Sequence, residues 1–250
     1  MKKRMENSLK EFVDYWKSKD YVLGILLTGS HALGLQNENS DIDIRIIFNN
    51  TQQGTLKGIK GKISYFAESI EFVKKRMQQD FIRNMKFEAR LFSIGKVLYK
   101  KDNTIDELII IAQKFMTAPF RNIQYNRDVI ILRLYSLSVN YKYLAQNESS
   151  KLYVYNYMTF MKLALHIYSW FLGYESFIDI KTDLILNNAQ YREVNLWQDY
   201  PDRTFIELWT NCMEAEYNNE KVENIYNYLQ SKMIEIEGKD FEVIREENFF

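Results

Sequence analysis

The chain has 250 residues, 46% of them apolar and 26% charged, which describes an ordinary folded protein with material for one large domain or two modest ones. Lys plus Arg and Asp plus Glu both number 33, so no whole-molecule attraction to nucleic acid or anionic membrane is expected, although a local basic patch remains open. The one cysteine, Cys212, excludes an intramolecular disulfide and a cysteine metal cluster.

The opening stretch, residues 1–12, is basic but has no apolar run behind it, so no secretory signal is expected. Residues 6–19 place Leu9, Phe12, Val13 and Trp16 at helical spacing. A compact apolar run at 21–28 predicts a strand, broken by Thr28-Gly29-Ser30, and 31–35 predicts a short helix. After a polar turn at 36–40, residues 41–48 alternate. Asp41, Asp43, Arg45 and Ile47 fall on one face, and Ile42, Ile44, Ile46 and Phe48 on the other. The Gly- and Gln-rich stretch 49–61 reads as a loop, 62–68 as a third strand, 70–81 as a helix, 94–99 as a short strand and 105–116 as a helix.

Pro119, one of only two prolines, follows that last helix and marks the expected domain boundary: 1–118 and 119–250. Beyond it the pattern is helical at 126–145, 151–172, 205–216 and 221–236, with a less regular 173–203. The apolar runs at 21–28 and 105–112 fall far short of the ~20 residues of a membrane span, so a cytoplasmic protein with no membrane partner is expected.

The residues that carry chemistry lie at 28–44. A glycine at the end of a buried strand lets the backbone approach a phosphate closely, and the Ser30 hydroxyl adds a donor. Asp41 and Asp43, two apart on a strand, point to one face, where two like charges repel unless a cation lies between them. All-oxygen ligands favour Mg²⁺, and carboxylates shared between two metals suit phosphoryl transfer.

The apolar strand ending in Gly29-Ser30, followed by Asp41-x-Asp43 on the next strand, resembles the signature of the DNA polymerase β-type nucleotidyltransferase superfamily over about residues 20–100. The resemblance implies an α+β fold: a mixed sheet with helices on one side, here followed by an all-α helical bundle. It implies that Gly29 and Ser30 bind a nucleoside triphosphate such as ATP, and that Asp41 and Asp43 hold Mg²⁺. It also implies a third carboxylate from a following strand. Ser64 and Glu68 share the appropriate face, and Glu68 is the acid of the two; with Ser64 in that slot, the base for an incoming hydroxyl would be missing. The two-domain layout looks like the antibiotic (aminoglycoside or lincosamide) nucleotidyltransferases, which implies a small hydroxyl-bearing acceptor. RNA or a protein side chain is the less favoured acceptor, and a non-catalytic, antitoxin-like nucleotide binder is the alternative class.

Other candidates admit two readings each. His31 either touches a phosphate or faces solvent, and Arg45 either neutralises phosphate or pairs with an Asp. Lys74, Lys75 and Arg76 form a basic cluster whose default is a solvated face. Glu88, Asp128 and Glu148 are candidates for an acidic acceptor pocket. His166 and Cys212 read as packed core, and so do most of the tyrosines at 135–157.

Overall fold

The computed structural model describes residues 2–51, 54–120 and 126–244. The chain divides into two compact units, Met1–Ala118 with Gln190–Trp197, and Pro119–Ala189 with Gln198–Phe250. The short return of 190–197 to the first unit is a feature that a single cut at residue 118 does not capture.

In the first unit, α1 (Lys2–Lys17) leads into β1 (Val22–Thr28), α2 (Gly29–Leu33), β2 (Ile42–Phe48), β3 (Thr55–Lys60) and β4 (Ile63–Ser69). Then come α3 (Ile70–Ile82), α4 (Phe87–Ile94), β5 (Lys96–Lys100) and α5 (Thr104–Thr117). The five strands lie in the order β3-β4-β2-β1-β5. Only β2 and β4 run parallel; the other neighbours are antiparallel, so the sheet is mixed.

Alternation along β2 decides the two faces. Ile42, Ile44, Ile46 and Phe48 join Val22, Ile25, Phe12 and Trp16 in one buried cluster, which places α1 on that side. Ile47 and Leu26 join Val73, Met77, Ala89, Phe92, Ile105 and Leu108 in a second cluster, which places α3, α4 and α5 on the other. The expectation of helices on one side is therefore adjusted. The main helical layer does lie on one face, but the apolar stripe of α1 covers the opposite one.

Two elements differ from the sequence-based expectation. The stretch 49–61 contains β3, which pairs with β4 at the sheet edge; Gln52 and Gln53 of that predicted loop lie outside the described residues. Leu56 and Ile59 of β3 are 52% and 77% exposed, so the strand buries neither face and carries no alternation to reveal it. The second is α4, which runs through Ile94 and delays β5 to Lys96. Its acidic and basic residues, Glu88 and Arg90, are buried, which hides the helix from an apolar periodicity.

The second unit is helical: α6 (Arg127–Gln146), α7 (Tyr153–Phe171), a 3₁₀ turn at Asp179–Lys181, α8 (Thr182–Asn187), α10 (Arg203–Cys212) and α11 (Asn219–Lys232). The short α9 (Ala189–Val194) belongs almost wholly to the first unit. Helices α6, α7, α10 and α11 pack together. Asn126, Asp202 and Asn218 cap α6, α10 and α11 by accepting from Val129, Phe205 and Lys221 N–H groups. The buried tyrosines bring their own polar tips, and these are satisfied. Tyr157 donates to the Cys212 carbonyl at 2.6 Å, and Tyr168 and Tyr228 both donate to Asp202 Oδ2, at 2.6 and 2.8 Å. Cys212 is buried, as expected, whereas Tyr135 and Tyr155 are 52% and 70% exposed and belong to no core. Among the described residues no helix is long and apolar enough to cross a membrane.

Phe92 is fully buried between the sheet and α5. Phe92→Ala is expected to cost about 3–5 kcal/mol in urea denaturation; a loss below about 1 kcal/mol would contradict this packing.

Candidate active site in the first unit

β1 ends at Thr28, whose backbone pairs with Asp43 on β2. Thr28 is buried, and its hydroxyl donates to the Asp43 carbonyl at 3.3 Å. The next residue, Gly29, turns the chain into α2 with φ +65°, the left-handed region that favours glycine. A Cβ at this position would collide with Asp43 Oδ2. The turn and the carboxylate thus lie in direct contact through space that only hydrogen fills.

Asp43 is half-buried and Asp41 exposed. Burial and then the neighbouring Asp41 charge raise the Asp43 carboxyl above its ordinary range, and the nearby Arg45 and His31 offset part of this. Two neighbouring carboxylates are hard oxygen donors of the kind a divalent cation takes, although among the described residues no group of three or more His, Cys, Asp or Glu gathers into a metal site. Ser30 follows at the surface of the same turn, half-buried. His31 is half-buried too, with Nε2 shielded from solvent and without a hydrogen-bond partner. The reading of His31 as a solvent-facing side chain does not describe it.

The parallel pairing of β2 and β4 settles the place of the two third-carboxylate candidates. Asp43 lies opposite Ser64, and Glu68 lies opposite Ile47. Four residues of strand put Glu68 roughly 13 Å further along. There it is 2% exposed and is gripped by Arg76, Nη2 to Oε1 at 2.6 Å and Nε to Oε2 at 3.1 Å. Glu68 is not brought to the aspartates.

Arg45 also turns away from them. It is 8% exposed, donates to Glu88 Oε2 at 3.0 Å, approaches Glu68 at 3.9 Å and lies 4.5 Å above the Phe66 ring. The expected pairing with an Asp is replaced by pairing with two glutamates, Glu88 and Glu68. Glu88 is consequently a buried ion partner of Arg45. Its carboxyl is raised to about 7 because burial outweighs the attraction of Arg45, which Glu68 shares. Asp128 is exposed, and Glu148 accepts from the Asn219 N–H. Within the predicted basic cluster, Arg76 is committed to Glu68 and Lys74 to Glu71. The Arg45–Glu68–Arg76–Glu88 group was invisible in the sequence, apart from an arginine following Asp43 at strand spacing.

Residues 9–111 match the family model described as a nucleotidyltransferase domain. Over this segment the chain is similar to nucleotidyltransferase domains. No curated protein matches the chain in sequence. Among solved structures, a nucleotidyltransferase-like protein from Exiguobacterium sibiricum 255-15 is similar over 91% of this chain and 75% of its own, at 10% identity and a TM-score of 0.48. At that distance the likeness bears on neither substrate nor residues. The matched segment holds Gly29, Ser30, Asp41 and Asp43 on adjoining ends of β1 and β2.

Two outcomes test this geometry. Gly29→Ala is expected to lose about 1–2 kcal/mol of stability from the left-handed backbone alone, with further loss from the displaced Asp43 carboxylate. Denaturation curves superposing on the wild type would refute the contact. For Glu88, a native carboxyl raised above the unfolded value means that stability is fullest below about pH 4.5 and falls as pH rises toward about 7. Glu88→Gln should flatten that fall by an amount on the order of 3 kcal/mol, read as the difference in unfolding free energy between pH 5 and pH 8. An unchanged slope would show that Glu88 titrates normally.

Proposed function

We propose that the chain transfers a nucleoside monophosphate from a nucleoside triphosphate, ATP being the first to test, to an acceptor with release of pyrophosphate. The observation that carries this reading is the Gly29 backbone set against Asp43, with the Asp41 charge close enough to act on Asp43, inside the segment that matches nucleotidyltransferase domains. Asp41 and Asp43 would hold Mg²⁺, which when bound supplies positive charge to the α-phosphate and the leaving pyrophosphate. The Gly29 and Ser30 backbone N–H groups, with the Ser30 hydroxyl, would hold the outer phosphates. Thr28, locked to Asp43 through the β1–β2 pairing, fixes the turn relative to the carboxylates, so that binding orients the triphosphate. A cytoplasmic setting and a part in acceptor recognition for the helical unit, 119–250, belong to the same proposal.

A second reading has one observation in its favour: Ser64 stands where a base would be useful. A protein that binds nucleotide without turnover, acting as an antitoxin-like partner, would need no base. Transfer to an aminoglycoside-like hydroxyl would need that proton removed by some other group.

Metal-dependent nucleotide binding separates these readings from an unrelated role. ATP with Mg²⁺ should stabilise the protein by about 2.7 kcal/mol at a hundredfold excess over Kd. In Asp43→Asn this Mg²⁺-dependent gain and any turnover should vanish, while the ligand-free melting temperature holds or rises because a half-buried charge is gone. Equal stabilisation of that variant would reject Asp43 as the metal ligand. Pyrophosphate release with any acceptor, an aminoglycoside panel included, would reject the non-catalytic reading.

A further inference from the structure

Two cations at α4 hold the two places where the chain passes between its units. Lys86, at the start of α4, is 7% exposed, and its Nζ donates to the Met116 and Ala118 carbonyls, each at 2.8 Å. Those carbonyls end α5, immediately before the second unit begins at Pro119. Arg90 follows one helical turn later and is 4% exposed. Its Nε donates to the Asn195 carbonyl at 2.6 Å, and its guanidinium lies 3.9 Å from the Trp197 ring. Residues 190–197 are the return segment of the first unit, and the second unit resumes at Gln198. A buried cation is tolerated where carbonyls and rings receive its charge, and both of these cations are received by connecting segments.

The return segment is also strained. Leu196 has φ +56°, in the left-handed region, where glycine or asparagine is usual at a helix end. The Trp197 N–H donates to the Arg192 carbonyl at 2.8 Å and the Leu196 N–H to the Glu193 carbonyl at 3.2 Å, so the turn closes around a residue that resists it. Such backbone persists where its surroundings hold it, and Arg90 grips the residues on either side, Asn195 and Trp197. The far side of α4 lies against the candidate site. The helix packs on β1 and α2, and Ala89 and Phe92 share a buried cluster with Leu26. At its end, a Cβ on Gly95 would stand 3.3 Å from the Leu27 carbonyl oxygen. α4 thus closes directly on the backbone that leads into Thr28 and Gly29.

We propose that Lys86 and Arg90 are positioning residues that couple triphosphate binding at the Gly29 turn to the two segments joining the units. This rests on the donor reading above and adds a regulation of the same site. A triphosphate that orders α2 and the end of β1 fixes α4 against them, and α4 then holds residues 116–118 and 190–197 more firmly. Linkage makes the effect reciprocal: whatever loosens the return segment weakens triphosphate binding by the same factor. The turn at Leu196 is the element that can let go, since release from Arg90 relieves a left-handed backbone.

The test is hydrogen exchange of the full chain in Mg²⁺, with and without saturating ATP, read by mass spectrometry. Saturation is checked separately by the shift in melting temperature. Amides at 190–197 should exchange about tenfold more slowly with ATP, while those of α11 change by less than about twofold. Arg90→Ala should raise Kd for Mg²⁺-dependent ATP binding about tenfold and leave exchange at 190–197 fast and indifferent to ATP. Should that variant fail to fold, Trp197→Leu, which removes the ring and keeps the cation, should move both readings in the same direction. Lys86→Met should do the same at 116–118. Equal slowing across 190–197 and α11 is general stabilisation and overturns the proposal. So does an unchanged ATP affinity in folded Arg90→Ala. A melting shift with ATP but unchanged exchange at 190–197 overturns the coupling and leaves the donor reading intact. Absence of ATP binding in the wild type removes the donor reading, and the coupling with it.

Discussion

The candidate site depends on one close approach: the Gly29 backbone, in a left-handed conformation, lies against the carboxylate of Asp43. Any side chain at that turn would occupy the space of an Asp43 oxygen. Strand pairing makes the approach possible, because Thr28 and Asp43 are partners across β1 and β2 and Thr28 ties its hydroxyl to the Asp43 carbonyl. A turn with exposed N–H groups and a pair of acids are thereby held at adjoining strand ends on rigid central strands, where a 1 Å displacement matters most for phosphoryl chemistry.

The rest of the first unit supports that approach from behind. The apolar face of β2 is packed by α1, and the acidic face, once past Asp43, is closed by α3 and α4. Arg45 on the acidic face is largely buried. It is neutralised by Glu88 and Glu68, with Arg76 completing the group. This buried set gives the first unit a polar join between β2, β4, α3 and α4, with Arg45 Nη1 and Glu88 Oε1 left without a hydrogen-bond partner, and removing one member would strand the others. It also explains why Arg45 and Glu68, both on the aspartate face by strand phase, belong to the scaffold and not to the candidate chemistry.

How much of this was legible in the sequence follows from which features are local. The apolar strand, the Gly-Ser break and the alternating Asp41–Phe48 segment are short-range patterns with period two, and each appears where expected. The helical second unit was legible from its 3.6-residue period. β3 was not, because an edge strand exposed on both sides has no alternation. α4 was not, because it buries charged residues that pair with partners far along the chain, as Glu88 does with Arg45. The choice between Ser64 and Glu68 could not be made from phase, since both satisfy period two. It required the register of a parallel pair, which depends on where β4 begins relative to β2 and on the β3 excursion between them.

The most direct measurement is a crystal structure with Mn²⁺ and a non-hydrolysable triphosphate analogue, read by the anomalous signal of the metal. The account predicts metal density within about 2.0–2.6 Å of carboxylate oxygens of Asp41 and Asp43, with the outer phosphates along the Gly29–Ser30 backbone. Metal bound elsewhere, or phosphates lying away from that turn, would contradict it.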